Sequence, residues 1–173
     1  MKSLINKIQD IDVHIAFYMT HFYKHHLTNE IMKFISMCGD FGMSWLIVIL
    51  ITNMIDQTRT MSIDMLIALI AATLIGQVTI KSIVRRKRPC HTYPEVQLLI
   101  TTPSDLSFPS GHTTSSFACS TVMMLYNPIL GIIGYIYAIL TAISRLYLFV
   151  HYLSDVVTGI ILGITIGIIT YLL

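Results

Sequence analysis

The stretch Tyr152–Leu173 reads YLSDVVTGIILGITIGIITYLL, with Asp155 as its only charged side chain. A helix needs about 20 predominantly apolar residues to cross roughly 30 Å of hydrocarbon, so this segment predicts a membrane span. Inside it Gly159, Gly163 and Gly167 recur every four residues and present one smooth face for close approach of a neighbouring helix. Working back along the chain, Ile129–Tyr147 predicts another span, and Asn127-Pro128 turns the chain out of a third at Ser110–Tyr126. Met61–Val84 predicts a fourth, with Pro89 expected to stop it because proline removes a backbone donor. Glu30 to Ile55, interrupted by Gly39 and Gly42, predicts a bent or broken first span. The expected fold class is therefore all-α, an integral membrane bundle of about five transmembrane helices. Composition agrees: 54% of residues are hydrophobic and 12% charged, against about 45–50% and 25% in soluble domains, which argues against a water-soluble fold.

The segment from Asp10 to Leu27 is different, mixing Ile11, Val13, Ile15, Phe17, Tyr18 and Phe22 with His14, His21, Lys24, His25 and His26. It reads as an amphipathic helix lying along the membrane surface. His21, His25 and His26 fall within two helical turns, but no acid or thiolate completes a metal sphere, and headgroup anchoring accounts for them. Residues 1–29 are thus expected to form an N-terminal interfacial segment and residues 30–173 one transmembrane domain. The opening residues carry lysines without a signal-peptide apolar stretch or cleavage site, so the N-terminus is expected to be retained. Cys38, Cys90 and Cys119 are odd in number and lack metal-ligand spacing, which predicts buried free thiols.

Ionisable groups at membrane depth are costly, and by default they mark function. Here they gather in three places that fall on one side of the membrane if the spans are threaded in order. Lys81 and Arg88, seven residues apart, are expected on one helical face, where they suit a phosphate or simply form a headgroup-facing basic flank with Arg85, Arg86 and Lys87. Pro109-Ser110-Gly111-His112 predicts a helix start whose unpaired backbone donors favour an anion, with a histidine beside them able to give a proton to a leaving oxygen. Ser144-Arg145 places a phosphate clamp before His151 and Asp155, which are expected four apart on the opening turns of the last helix, so that the carboxylate can hold the ring's far nitrogen. Such a His–Asp pair alone is as readily structural; the three clusters together make that reading unlikely to suffice.

Lys81 through Arg88-Pro89, Pro109 through His112, and Ser144-Arg145 through His151 and Asp155 resemble the three-part signature of the type 2 phosphatidic acid phosphatase superfamily in residue type, spacing and order. The resemblance covers roughly Glu30 to Leu173. It implies a metal-independent, cofactor-free lipid phosphatase. His151 would attack phosphorus, Asp155 orient it and His112 protonate the leaving group, while Lys81, Arg88, Ser110, Gly111 and Arg145 hold the phosphate. The chain departs from the family's common six-span pattern, since the Asp10–Leu27 segment corresponds to the surface helix that normally follows a first span. Bacterial members usually face the active site outward, which implies a multi-pass cell-membrane protein with an extracytoplasmic site. The lysines and arginines lie mostly on the catalytic side, with Arg59 opposite, which pulls the other way; Lys81, Arg88 and Arg145 are discounted as phosphate ligands.

The expected partners are a lipid phosphate or diphosphate and the bilayer, with no nucleic acid, and the oligomeric state is left open. Undecaprenyl diphosphate ranks first, because a minimal chain without a headgroup-recognition domain suits a simple diphosphate on a long tail. Phosphatidylglycerophosphate or phosphatidate, a lipid phosphotransferase and a non-enzymatic lipid-phosphate binder are the alternatives. A vanadate-dependent haloperoxidase shares the constellation but is soluble.

Overall fold

The computed structural model describes residues 2–173, with side chains from Leu4 onward. Among the described residues every regular element is helical. The order is α1 (Lys2–Thr20), a 3-10 turn (His21–Lys24), α2 (His26–Cys38), a 3-10 turn (Asp40–Gly42), α3 (Met43–Asn53), a 3-10 turn (Asp56–Thr58) and α4 (Arg59–Ala72). A π-helical stretch (Thr73–Ile80), α5 (Lys81–Val84), α6 (Pro89–Thr92), α7 (Gly111–Tyr126), α8 (Pro128–Tyr147) and α9 (Leu153–Leu172) follow.

By length and apolarity Asp56–Thr92, Pro128–Tyr147 and Leu153–Leu172 qualify as spans, and α2 with α3, bent by 52°, would count as a fourth. The expected fifth is α7, which at 16 residues is shorter than the others and is the axis of the bundle. Helices α4, α8 and α9 all pack on it, and it is buried along most of its length from Gly111 to Met123. The sequence of α7 is rich in hydroxyls, and several return to the helix's own carbonyls: Thr114 donates to Ser110 O at 2.9 Å and Thr121 to Phe117 O at 2.7 Å. Polar groups satisfied in this way can be buried without a partner from another helix. Outward-facing isoleucines such as Ile47, Ile63, Ile67, Ile132, Ile136 and Ile161 form the lipid-facing belt.

The glycine face of α9 meets α7, as its spacing predicts. A Cβ at Gly163 would lie 2.5 Å from Thr114 O and 2.8 Å from Phe117 Cβ, so only hydrogen fits between the two backbones. The first span is broken where expected: Phe41 and Gly42, at φ 54° and 70°, carry the chain through the left-handed region between α2 and α3. At the N-terminal side of α8, Asn127 accepts from Ile129 N at 3.1 Å and Leu130 N at 3.2 Å, with Pro128 at the first helical position.

Two expectations are corrected. Pro89 does not end the Met61–Val84 span. The helix stops at Val84 because Arg85 turns into the left-handed region at φ 51°, and Pro89 instead opens α6. The N-terminal segment is also more than a surface float. Helix α1 leaves Leu4, Ile5, Ile8, Ile11 and Tyr18 exposed, but its other face packs on α8 and α9 with Asp12 and Ala16 buried. The boundary expected at residue 29 falls inside α2.

Gly163→Ala is expected to lower stability by about 1–3 kcal/mol, since α7 and α9 must separate to admit the methyl group. Gly76→Ala, whose Cβ would meet nothing nearer than 3.7 Å, is expected to change it by less than about 1 kcal/mol. Thermal unfolding in detergent separates the two, and equal midpoints would contradict the tight seam.

Candidate active site

Helix α8 ends at Tyr147, and Leu148, Phe149 and Val150 are then completely buried, with Phe149 at φ 59°, a region that bulky residues rarely enter. This buried reversal aims the chain at Arg88. Its Nη1 donates to Val150 O at 2.8 Å and to His151 Nε2 at 2.9 Å. His151 therefore sits in the turn before α9, not on the helix as its spacing from Asp155 predicts. Asp155 occupies the first turn of α9, where Oδ2 accepts the Tyr152 N–H at 2.9 Å as part of the cap. The same oxygen lies 3.5 Å from His151 Nδ1, which has no hydrogen-bond partner among the described residues. That separation is long for a hydrogen bond, as such pairs often are before a ligand tightens them. Burial, with the charges of Arg88, Arg145 and Lys81 around it, pushes the His151 imidazole well below its ordinary pKa.

Lys81 and Arg88 do not share a helical face, because the chain leaves the helix at Arg85 between them. They meet through the loop instead. Asp105 accepts from Lys81 Nζ at 2.5 Å and from Arg88 Nη2 at 2.7 Å, and its carbonyl accepts from Arg88 Nε at 3.0 Å. Partial burial opposes the charge on Asp105, but these two cations hold its carboxyl down at about 2. Lys81 also donates to Gln77 Oε1 at 2.6 Å. The Gln77 amide lies over Gly111, where a Cβ would come within 1.6 Å, so Gly111 lets it reach Lys81.

Gly111 and His112 open α7, as the sequence predicts, and both line the cavity. Ser110 departs from expectation: its backbone N–H donates to Asp155 O at 3.1 Å, and its hydroxyl accepts from Thr113 at 2.9 Å. That donor holds the start of α9 to the start of α7. His112 Nε2 lies 2.9 Å from Asp40 Oδ1, and Gly39 makes room for the ring, since a Cβ there would lie 2.7 Å from His112 Cδ2. Arg145, almost fully buried near the end of α8, donates to Ser36 of α2 through Nη1, and its Nε has no partner among the described residues.

Lys81, Arg88, Gly111, His112, Arg145 and His151 thus line one cavity of about 1170 Å³. It continues from this polar end into an apolar groove of Phe41, Leu46, Leu66, Leu69, Ile70 and Leu74, between the α2–α3 break and α4. Three cations can hold an anion while two imidazoles offer a lone pair and a proton. His21, His25 and His26 lie elsewhere; His21 Nδ1 is 3.2 Å from the carbonyls of Phe17 and Tyr18, and no metal-binding group of three forms among the described residues.

The PAP2 superfamily model matches residues 62–173. The chain belongs to the PAP2 superfamily. An undecaprenyl-diphosphatase of Sulfolobus acidocaldarius is 32% identical over 136 residues, covering 78% of this chain and 65% of that protein. A decaprenylphosphoryl-5-phosphoribose phosphatase of Mycobacterium tuberculosis is 40% identical over 100 residues, covering 52% of this chain and 49% of that protein. The chain thus spans about half to two thirds of these relatives' length. Among solved structures, a transmembrane PAP2-type phosphatidylglycerolphosphate phosphatase from Bacillus subtilis superposes with a TM-score of 0.77 at 25% identity, covering 95% of this chain and 85% of that one. Aquifex aeolicus LpxE gives 0.75 at 26% identity, covering 84% and 86%.

Within this PAP2 chain the sequence reading missed Asp12, Ser36, Asp40, Gln77, Arg86 and Asp105, which hold the motif residues in place. Asp12, Ser36 and Asp40 precede the stretch matched by the family model. Asp12 carried a readable signal, an acid on the same helical face as Ala16, four residues on. Arg86 reads as flank, yet it reaches inward to Asp155 and Asp12.

Because Asp105 occupies Lys81 and Arg88, Asp105→Asn is expected to tighten vanadate or inorganic phosphate about tenfold, by removing a competing charge. Calorimetric titration checks this; weaker binding would mean that Asp105 orients the cations more than it blocks them.

Proposed function

We propose that the chain is a membrane lipid phosphatase working through a phosphohistidine, with undecaprenyl diphosphate as its first-ranked substrate. The observation that carries the reading is one cavity holding His151, His112 and three cations at one end and an apolar groove at the other. The phosphate enters the polar end, and the lipid tail lies in the groove between α4 and the α2–α3 break.

In this mechanism His151 Nε2 attacks phosphorus. Arg88 Nη1, which donates to that nitrogen in the structure, transfers to a phosphate oxygen as the anion displaces Asp105. The P–N bond forms as the P–O bond to the leaving group breaks, and His112 gives its proton to the departing oxygen. Charge on the equatorial oxygens is met by Lys81, Arg88, Arg145 and the Gly111 N–H. Asp155 stabilises the positive charge that develops on His151 and sets the ring's orientation. Water then attacks the phosphohistidine, His112 takes its proton, and the P–N bond breaks to release phosphate. The expected location is the cell membrane, with the site at its extracytoplasmic face.

A glycerophospholipid phosphatase is the second reading, supported by the superposition on the Bacillus subtilis phosphatidylglycerolphosphate phosphatase over 95% of this chain. Purified protein in detergent with EDTA, given undecaprenyl diphosphate, phosphatidylglycerophosphate and phosphatidate, separates the two by which releases phosphate fastest. His151→Ala is expected to lower kcat at least about a thousandfold. Equal release by wild type and variant would end the enzyme reading, and a strict magnesium requirement would end the metal-free mechanism.

The nucleophile must be neutral. Because the His151 pKa is depressed, the neutral ring persists as pH falls through 6.5, the ordinary histidine value, and activity should be lost only below it. A pH profile of kcat/KM whose acid limb lies at or above 6.5 would contradict this.

A further inference from the structure

Behind the cavity Asp155 is held by Arg86, and Arg86 by Asp12, two charged groups that the mechanism above does not use. Arg86 reaches in two directions from the turn after α5. Its Nη1 donates to Asp155 Oδ1 at 2.7 Å and to Ser154 Oγ at 2.6 Å, and its Nη2 donates to Asp12 Oδ2 at 2.7 Å. Asp12, only 1% exposed, accepts the Ser154 N–H on Oδ1 at 2.8 Å and the Ser154 hydroxyl on Oδ2 at 2.5 Å. The guanidinium lies 4.1 Å from the centre of the Tyr152 ring. Asp12 comes from α1, Arg86 from the turn after α5, and Ser154 and Asp155 from the start of α9.

This arrangement has two consequences for Asp155. With Arg86 fixed on Oδ1 and the Tyr152 N–H on Oδ2, the carboxylate plane cannot rotate, and only Oδ2 faces His151. The charge balance matters as well. Arg86 alone would neutralise Asp155, leaving little to stabilise a cationic His151. With Asp12 added, the three groups carry a net negative charge beside the ring, in a setting where charges are weakly screened.

We infer that Asp12 and Arg86 are positioning residues for the Asp155–His151 pair, with Arg86 fixing the plane of the carboxylate and Asp12 fixing Arg86 and restoring the negative charge. The inference rests on the roles proposed above for His151 and Asp155. It makes α1, which precedes the stretch matched by the family model, a working part of the site.

The test is a double-mutant cycle on phosphate release in detergent, using Asp12→Asn, Asp155→Asn and the double variant with whichever lipid turns over. Asp12→Asn is expected to lower kcat about tenfold, as loss of a group supporting a catalytic partner does, with KM within about twofold. In the Asp155→Asn background it should lower kcat no further, because the group it acts through is gone. Arg86→Lys keeps the charge but loses the planar fork, and is expected to behave in the same way. If Asp12→Asn does not fold, Arg86→Lys carries the cycle alone. A fall in kcat of equal factor in both backgrounds, or a lower thermal midpoint with kcat per folded molecule unchanged, would overturn the inference alone. Wild-type activity in Asp155→Asn would overturn the inference together with the site assignment beneath it.

Discussion

Asp155 is completely buried at the start of α9, and a carboxylate there can stay charged only if the protein replaces the water it has lost. The Tyr152 N–H takes one oxygen and Arg86 the other, while the backbone carbonyl of Asp155 accepts from Ser110. Much of the architecture around the site follows from that need. Arg86 can reach inward only because Arg85 breaks the preceding helix in a left-handed turn. Arg86 is held in turn by Asp12, which draws α1 against α9. The Ser110 contact places the start of α7, and with it His112, beside the start of α9.

That contact requires α7 and α9 to lie close together, and small residues allow it. Gly159, Gly163 and Gly167 bring α9 onto the backbone of α7, where Thr114 and Thr121 are satisfied by the helix's own carbonyls. The buried reversal Leu148–Val150 then has to join α8 to α9 in little space, with Phe149 in a left-handed conformation. Phe17 of α1 and Tyr93 of the loop pack edge-on against the Phe149 ring, at centroid distances of 5.4 Å and 6.4 Å. The same aromatic cluster thus steadies the turn that carries His151 and the helix that carries Asp12.

Helical period and apolar run length made the spans legible, and the glycine spacing of α9 marked the face that meets α7. The motif residues were legible because charge is rare in this chain and therefore conspicuous. What escaped was geometry that depends on a break. Regular spacing put Lys81 and Arg88 on one helical face and His151 on α9, but a left-handed Arg85 and a buried turn decide both positions, and neither has a period to detect. The supporting residues escaped for another reason. Arg86 stands among four consecutive basic residues, and only its distance to Asp12 and Asp155, 74 and 69 positions away in sequence, sets it apart. Asp105 and Asp40 sit in segments without periodicity, and their pairing with cations and with His112 is entirely long-range.

Asp105 and Asp40 also show how the charge of the site is balanced. Lys81, Arg88 and Arg145 converge on one cavity and repel one another, so the site needs negative charge. Asp105 supplies it to Lys81 and Arg88, and Asp40 lies beside His112. Among the described residues Arg145 has no such partner: its Nε is unpaired and its Nη1 donates to Ser36. Under the proposed mechanism phosphate binding would be an exchange, in which the incoming anion takes Lys81 and Arg88 from a carboxylate on a half-exposed loop. A singly charged competitor gains little from that exchange. A phosphoryl group carrying more charge, with oxygens enough to engage Arg145 as well, would gain the difference, so under the proposed mechanism the carboxylate set against the cradle would favour doubly charged phosphoryl groups over weaker anions.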